Sequence, residues 1–295
     1  MDLWEVRAEI PADAADATEA VLLESEAAGW AVLEDAVERR AWIVGIFPAQ
    51  AEAVAAWRHL RPQLAVPPSG AATTRLLPES DWALSYRRHF KAWTFGRLHW
   101  VPVWERASFH PPDGHSVLWL DPGLAFGTGN HETTRLCIER MVEAEGRLGP
   151  AAGATRVVDA GSGSGILALS AALLGFGEVF AFDSDPEAVR VSRENAELNG
   201  LSDRVRFRVA DLACGLDGVQ AGLVLANIQA DVLLRNTRTL VASIAPGGVL
   251  ALSGILGAEA AQVREAFTAA APGWPLSSRV LGEWCDVCLM RPGAV

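Results

Sequence analysis

From residue 98 onward, short apolar runs alternate with longer amphipathic ones. Strand-like runs fall at 117–121, 156–160, 178–183, 204–209, 222–227 and 248–253. Helical spacing fills 132–145, 164–174, 186–199, 230–242 and 257–271 between them. Apolar strands separated by helices of this length can bury both faces only as a parallel sheet covered by helices on each side. The tail differs: "PLSSRVLGEWCDVCLMRP" reads as two strands joined by the two-residue turn Gly282-Glu283, so an antiparallel strand ends the sheet. The chain is therefore α/β in class, with a Rossmann-like sheet.

The first 78 residues follow another order. "LWEVRAEI" (3–10) alternates like a strand, and 12–28 carries helical apolar spacing with Val21, Leu22 and Leu23 on one face. "WAVLED" (30–35) and "AWIVGIF" (41–47) are strands, "AQAEAVAAWRHL" (49–60) a helix, and "ATTRLLP" (72–78) a last strand. Strand–helix–strand–strand–helix–strand is the ferredoxin-like split pattern, a small α+β domain. Residues 79–97, with Trp82, Ala83, Tyr86 and Phe90 at helical spacing, read as a linking helix, and 98–295 as the second domain.

With 295 residues, half of them hydrophobic, the chain has material for two cores. Its net charge of -11 divides into -5 over residues 1–105 and -6 over the rest, so neither part is a basic arm. Such a field opposes approach to a phosphate backbone and argues against a direct nucleic-acid partner. The start, "MDLWEVRAEIPADAADA", lacks the basic and apolar regions of a signal peptide, and no run reaches the roughly 20 apolar residues of a membrane span. A cytoplasmic protein is expected. Cys285 and Cys288 form a lone C-x-x-C inside a strand-like run; without a second pair they read as small apolar residues, and no metal is expected.

"VVDAGSGSG" (157–165) runs from a strand into a helix through Gly161, Gly163 and Gly165. A nicotinamide fingerprint needs G-x-G-x-x-G, and its third glycine would fall on Ile166, so the spacing opposes a dinucleotide. Ligands of such sheets still sit at the carboxyl ends of the strands. The next strand ends at Asp183, at the distance where a carboxylate meets ribose hydroxyls. Asp185, before Pro186, reads as a helix cap. Asp211 ends the third strand, where it can meet an adenine amino group or simply cap a helix. The fourth strand, "GLVLANIQ", ends in Asn227, which points an amide into the crevice.

Together these segments resemble the class I methyltransferases. "DPGLAFGTGNHETT" (121–134), with "GGVLALSGIL" (247–256) and "GEW" (282–284), is similar to the ribosomal protein L11 methyltransferases, the PrmA family. The resemblance implies a seven-stranded methyltransferase sheet, S-adenosylmethionine as cofactor and a monomer. It implies that the front domain holds a free ribosomal protein whose lysine side chains, or α-amino group, are methylated; another protein substrate is the alternative. Thr134, Gly161, Asp183 and Asn227 occupy the family's cofactor-contacting positions, with Phe126 and Gly163 as neighbours. Two residues depart from the family pattern: Ser162 between the first loop glycines, and Gln229 where an apolar or aromatic residue is usual. The implied chemistry is in-line displacement onto a neutral amine oriented by Asn227. His131 is the tempting base in the motif, and a structural role in its loop ranks above a proton-accepting one.

Overall fold

The computed structural model describes residues 3–15, 18, 21–22, 29–35, 40–64, 66–77, 92–120 and 132–293. The chain divides into two compact units, Met1–Phe90 and Lys91–Val295.

In the first unit, β1 (Leu3–Ile10), β2 (Trp30–Asp35), β3 (Arg40–Phe47) and β4 (Thr73–Leu77) form an antiparallel sheet in the order β2-β3-β1-β4. This is the expected ferredoxin-like arrangement. Period-two alternation builds it: Val6, Ala8 and Ile10 are buried toward the helix Gln50–Leu60, together with Ala41 and Ile43. Glu5, Arg7 and Glu9 point to the other face, paired across β3 with Ile46, Val44 and Trp42. Of the helix expected over 12–28, a short turn at Ala12–Ala14 and the buried Leu22 are described; much of the rest lies outside the described residues.

The second unit opens with a small sheet, β5 (Trp93–Phe95), β6 (Leu98–Pro102) and β7 (Ser116–Leu120). Most of the expected linking helix, 79–91, lies outside the described residues, and its end is not helical. Trp93 and Phe95 alternate around Thr94, then turn at Gly96 (φ 56°) to pair antiparallel with β6. Aromatic residues beside a glycine turn override the helical spacing that precedes them. β7 pairs with β6 and not with the main sheet.

The main sheet holds β8 (Arg156–Ala160), β9 (Glu178–Asp183), β10 (Val205–Val209), β11 (Ala221–Asn227), β12 (Ile244–Leu256), β13 (Leu276–Ser277), β14 (Val280–Leu281) and β15 (Trp284–Met290). Their order is β10-β9-β8-β11-β12-β15-β13, with β14 also on β15. The strands from β10 to β12 are parallel, and β15 is antiparallel to β12, as the tail implied. Leu281 pairs with Trp284 across the Gly282-Glu283 turn. The strand before that turn is split in two, because Arg279 leaves the ladder to donate its N–H to the Asp286 carboxylate at 2.7 Å. The helix expected over 230–242 breaks at Asn236, whose Nδ2 donates to the Val232 carbonyl at 2.9 Å and closes the first turn of helix against itself. Leu223 and Leu225 face one apolar layer, Val224 and Ala226 the other, so helices cover both sides.

Candidate functional site

The carboxyl ends of β8, β9, β10 and β11 surround one cavity of about 550 Å³. Gly161, Gly163, Asp183, Asp211 and Asn227 all line it, so four separated stretches of sequence meet there. The parallel arrangement does this: each strand releases its last side chain at the same edge.

β8 gives way to the glycine loop, where Gly161 has φ 82°. A Cβ at this position would lie 2.4 Å from Cγ2 of Ile228, so the backbone here passes closer to its neighbour than any side chain allows. Gly161 and Ser162 both donate their N–H groups to the Phe182 carbonyl, at 2.9 and 3.0 Å, which ties the loop to β9. Gly165, with φ 79°, starts the helix Ile166–Leu173; a Cβ there would press on Ser192 and Phe207 at 3.1 Å.

Asp183 ends β9. Its Oδ2 accepts the Gly163 N–H at 2.9 Å and its Oδ1 the Asp185 N–H at 3.0 Å. Each oxygen keeps a second lone pair, so the carboxylate is held at a fixed angle yet can still accept a vicinal diol. Asp185 caps the helix Pro186–Leu198 by accepting the Glu187 N–H at 2.8 Å, as its place before a proline implied. Asp211 also caps, accepting the Cys214 N–H at 2.7 Å; that bond holds its carboxyl below the ordinary range. Its capping role is on view, and its side chain lines the cavity as well.

Asn227 ends β11, and its Nδ2 donates to Thr134 Oγ1 at 3.3 Å. Thr134 is buried in the first turn of the helix Glu132–Leu148. Phe126 and His131 lie outside the described residues. Gln229 lines the cavity beyond Asn227 with an exposed side chain.

Three supporting residues were not singled out in the sequence. Ser192 donates to the Gly163 carbonyl at 2.8 Å and Asn195 to the Ser164 carbonyl at 2.9 Å, so the helix after Asp183 holds the glycine loop from behind. Their three-residue spacing places both on one helical face, a polar stripe among buried Val189, Val191 and Ala196. Asp159 is the third. It is 1% exposed in β8, its Oδ2 accepts the Ala168 N–H at 3.0 Å, and its Oδ1 has no partner among the described residues. A carboxyl inside the apolar "RVVDA" run is the signal that could have found it.

Burial pushes the Asp159 carboxyl from 3.8 up to about 7. The unfolded chain therefore releases this proton near pH 4, whereas the folded chain holds it to neutrality. Across that window the unfolded state binds fewer protons, so this group makes stability fall as pH rises, then level off above pH 7. At about 1.4 kcal/mol per pH unit the full loss is about 4 kcal/mol. Asp159→Asn is expected to remove this slope. Urea unfolding of both proteins at pH 5 and pH 8 measures it, and parallel pH dependences would contradict it.

Cys285 and Cys288 are buried in β15, and burial raises both thiols above their ordinary range. Among the described residues no helix is long and apolar enough to cross a membrane.

The family model described as "Ribosomal protein L11 methyltransferase (PrmA)" matches residues 2–291. A curated ribosomal protein L11 methyltransferase of Trichlorobacter lovleyi is 43% identical over 224 residues, covering 74% of this chain and 70% of that protein. That of Geobacter metallireducens is 43% identical over 220 residues, covering 74% and 68%. The crystal structure of a ribosomal protein L11 methylase from Lactobacillus delbrueckii subsp. bulgaricus superposes with a TM-score of 0.59 at 29% identity, covering 69% of this chain and all of that one.

Proposed function

Since the chain belongs to the PrmA family of ribosomal protein L11 methyltransferases, we propose that it moves methyl groups from S-adenosylmethionine to lysine amines of ribosomal protein L11. The observation that carries this reading is the convergence of Gly161, Asp183 and Asn227 on one cavity. The residues fit the cofactor. Gly161 leaves a space that a Cβ would fill, and Asp183 presents a fixed carboxylate to ribose hydroxyls. When bound, the cofactor supplies a methyl activated by its sulfonium charge.

The chain contributes orientation and a suitable proton balance. A lysine amine, with pKa about 10.4, costs roughly 4.6 kcal/mol to deprotonate at pH 7. Enclosure beside a cation lowers that cost, because both burial and like charge disfavour the ammonium form. Asn227 accepts a hydrogen bond from the amine and aims its lone pair. No dedicated base is required by this scheme, and His131 is assigned to its loop.

The front unit, taken as residues 1–78 with the linker beginning at 79, is proposed to hold the protein substrate. The second unit is the catalytic one, and it starts earlier than 98, since β5 belongs to its fold. What supports a holding role is the sheet face turned away from the Gln50–Leu60 helix. It exposes Leu33 and Ile46 and carries Trp42 beneath Arg7 and Arg40, at 4.4 and 4.9 Å from its ring. Arg40 is forked onto Glu9, with both bonds 2.9 Å. Aromatic and arginine side chains on an open face are the composition of protein interfaces. The protein is proposed to act in the cytoplasm as a monomer, on free ribosomal protein rather than on nucleic acid.

Intact-mass spectrometry of purified L11 incubated with enzyme and S-adenosylmethionine tests the activity. Increments of one methyl each, absent with Asp183→Ala, are expected. L11 of unchanged mass would overturn the substrate assignment. Trp42→Ala in the full chain is expected to raise KM for L11 about tenfold and leave the cofactor dissociation constant unchanged. An unaltered KM would remove this face from the substrate path.

A further inference from the structure

Resting on the methyltransferase reading above, we propose that Thr134 and Ser253 are positioning residues that hold the Asn227 carboxamide in place at the cavity edge, with its oxygen toward the cavity. A carboxamide has two chemically opposite ends, an acceptor oxygen and a donor nitrogen. A free one at a strand end can present either. At Asn227 the nitrogen is engaged: Nδ2 donates to Thr134 Oγ1 at 3.3 Å. Thr134 is 2% exposed, so solvent does not compete for that contact. The carbonyl oxygen accepts no hydrogen bond among the described residues and is the polar atom left for the cavity.

Ser253 fixes both sides of this contact. It stands opposite Asn227 in the β11–β12 register and is fully buried. Its hydroxyl donates to the Thr133 carbonyl at 2.9 Å, and its own carbonyl accepts the Ile228 N–H at 3.2 Å. The residue before Thr134 and the residue after Asn227 are thus both tied to one serine. Gly254 tightens the crossing: with φ 80°, a Cβ there would meet the Ile228 carbonyl at 2.5 Å. Reversal of the carboxamide would turn its NH2 toward an amine that itself donates, leaving two donors face to face. The oxygen-inward setting gives one amine N–H an acceptor and leaves the lone pair free.

Two measurements test this. In the first, the full-length protein carries Thr134→Val, Thr134→Ser or Ser253→Ala, each with and without Asn227→Ala, and kcat/KM for L11 is measured. Thr134→Val is expected to lose about tenfold, the value of one well-placed hydrogen bond, and Thr134→Ser to recover it. With S-adenosylmethionine saturating, so that any cofactor contact of Thr134 drops out of the comparison, neither Thr134→Val nor Ser253→Ala should cost anything more in the Asn227→Ala background, because nothing remains to hold. In the second, solvent exchange of the Asn227 side-chain NH2 is followed by NMR without cofactor. It should be slow in the wild type and in Thr134→Ser, and fast in Thr134→Val. Losses that multiply in the double variants, or exchange indifferent to Thr134→Val, would overturn the proposal. A wild type that methylates no amine would overturn the underlying reading, and the exchange experiment would then still decide by itself whether Thr134 holds the carboxamide.

Discussion

Gly161→Val is expected to abolish cofactor binding, raising the dissociation constant at least about a hundredfold. Two costs act together. The residue sits at φ 82°, where a β-branched side chain is a genuine outlier, and non-glycine backbone in this region costs roughly 1–2 kcal/mol before any contact is considered. The new Cβ would then lie 2.4 Å from Ile228 Cγ2, well inside contact distance. Relief by moving Ile228 drags its neighbour Asn227 out of the cavity wall. Relief by moving the loop breaks the Gly161 and Ser162 bonds to Phe182, and with them the place of Gly163 against Asp183. Either way the cradle changes shape. Gly161→Ala shares the strain and the clash but adds less bulk, so it should be intermediate. Gly114→Ala is the control: its φ is 77°, yet no atom lies within 4 Å of its Cβ position. Calorimetric titration with S-adenosylhomocysteine reads all three. Wild-type affinity in Gly161→Val would mean that the cofactor lies elsewhere.

What the sequence made legible follows from its local physics. Strands buried on both faces must be apolar throughout, so β8, β9 and β11 stand out as runs. Their last residues, Asp183 and Asn227, break those runs, and the fold brings run-ends to one edge. Asp185 before Pro186 announces a cap because only a few residue pairs start a helix that way, and the cap forms. The Gly282-Glu283 hairpin is similarly local, fixed by a turn of two residues between alternating strands. The front sheet was readable for the same reason, since one of its faces is covered and the period of two survives.

What remained hidden depends on neighbours far along the chain. β6 is buried along its whole length, with His99 and Trp100 inside it, so it shows neither alternation nor a pure apolar run. Trp100 accounts for its own burial only through Ser170, which accepts its Nε1–H at 2.8 Å. Ser192 and Asn195 carry no mark of purpose in their own helix, because the carbonyls they hold are about thirty residues away on the glycine loop. Asp211 showed two roles in the sequence, and the structure displays the capping one. Asn236 breaks a helix that spacing alone would continue. In each case the deciding partner is set by topology rather than by sequence proximity.

The same dependence on distant partners makes Asp286 a sensitive charge in the second unit. Its carboxylate is 1% exposed and accepts four hydrogen bonds: from Arg140 Nε at 2.7 Å and Nη2 at 2.9 Å, and from Arg279 N at 2.7 Å and Nε at 3.1 Å. Every lone pair is used, which is the condition under which a buried ion pair repays its desolvation. Arg140 is itself buried, and its helix, Glu132–Leu148, also carries Thr134, the partner of Asn227. Asp286→Ala therefore leaves the buried Arg140 guanidinium with only the exposed Glu143, at 3.5 Å, and unties the middle of that helix from β15. The expected cost is about 3–5 kcal/mol, which for a unit of this size lowers the melting temperature by roughly 10 °C. Arg140→Met in the same protein should restore part of the loss, since the stranded charge goes with it, although the Arg279 N–H stays unpaired. Thermal unfolding at pH 7 of the wild type, the single variant and the double variant separates the terms. Were Asp286→Ala to melt within about 2 °C of wild type, the pair would be surface-like in its energetics. Were the double variant to melt below the single, burial of the guanidinium would not be the source of the cost. The helix carrying Thr134 would then have to be held in place by its apolar face alone.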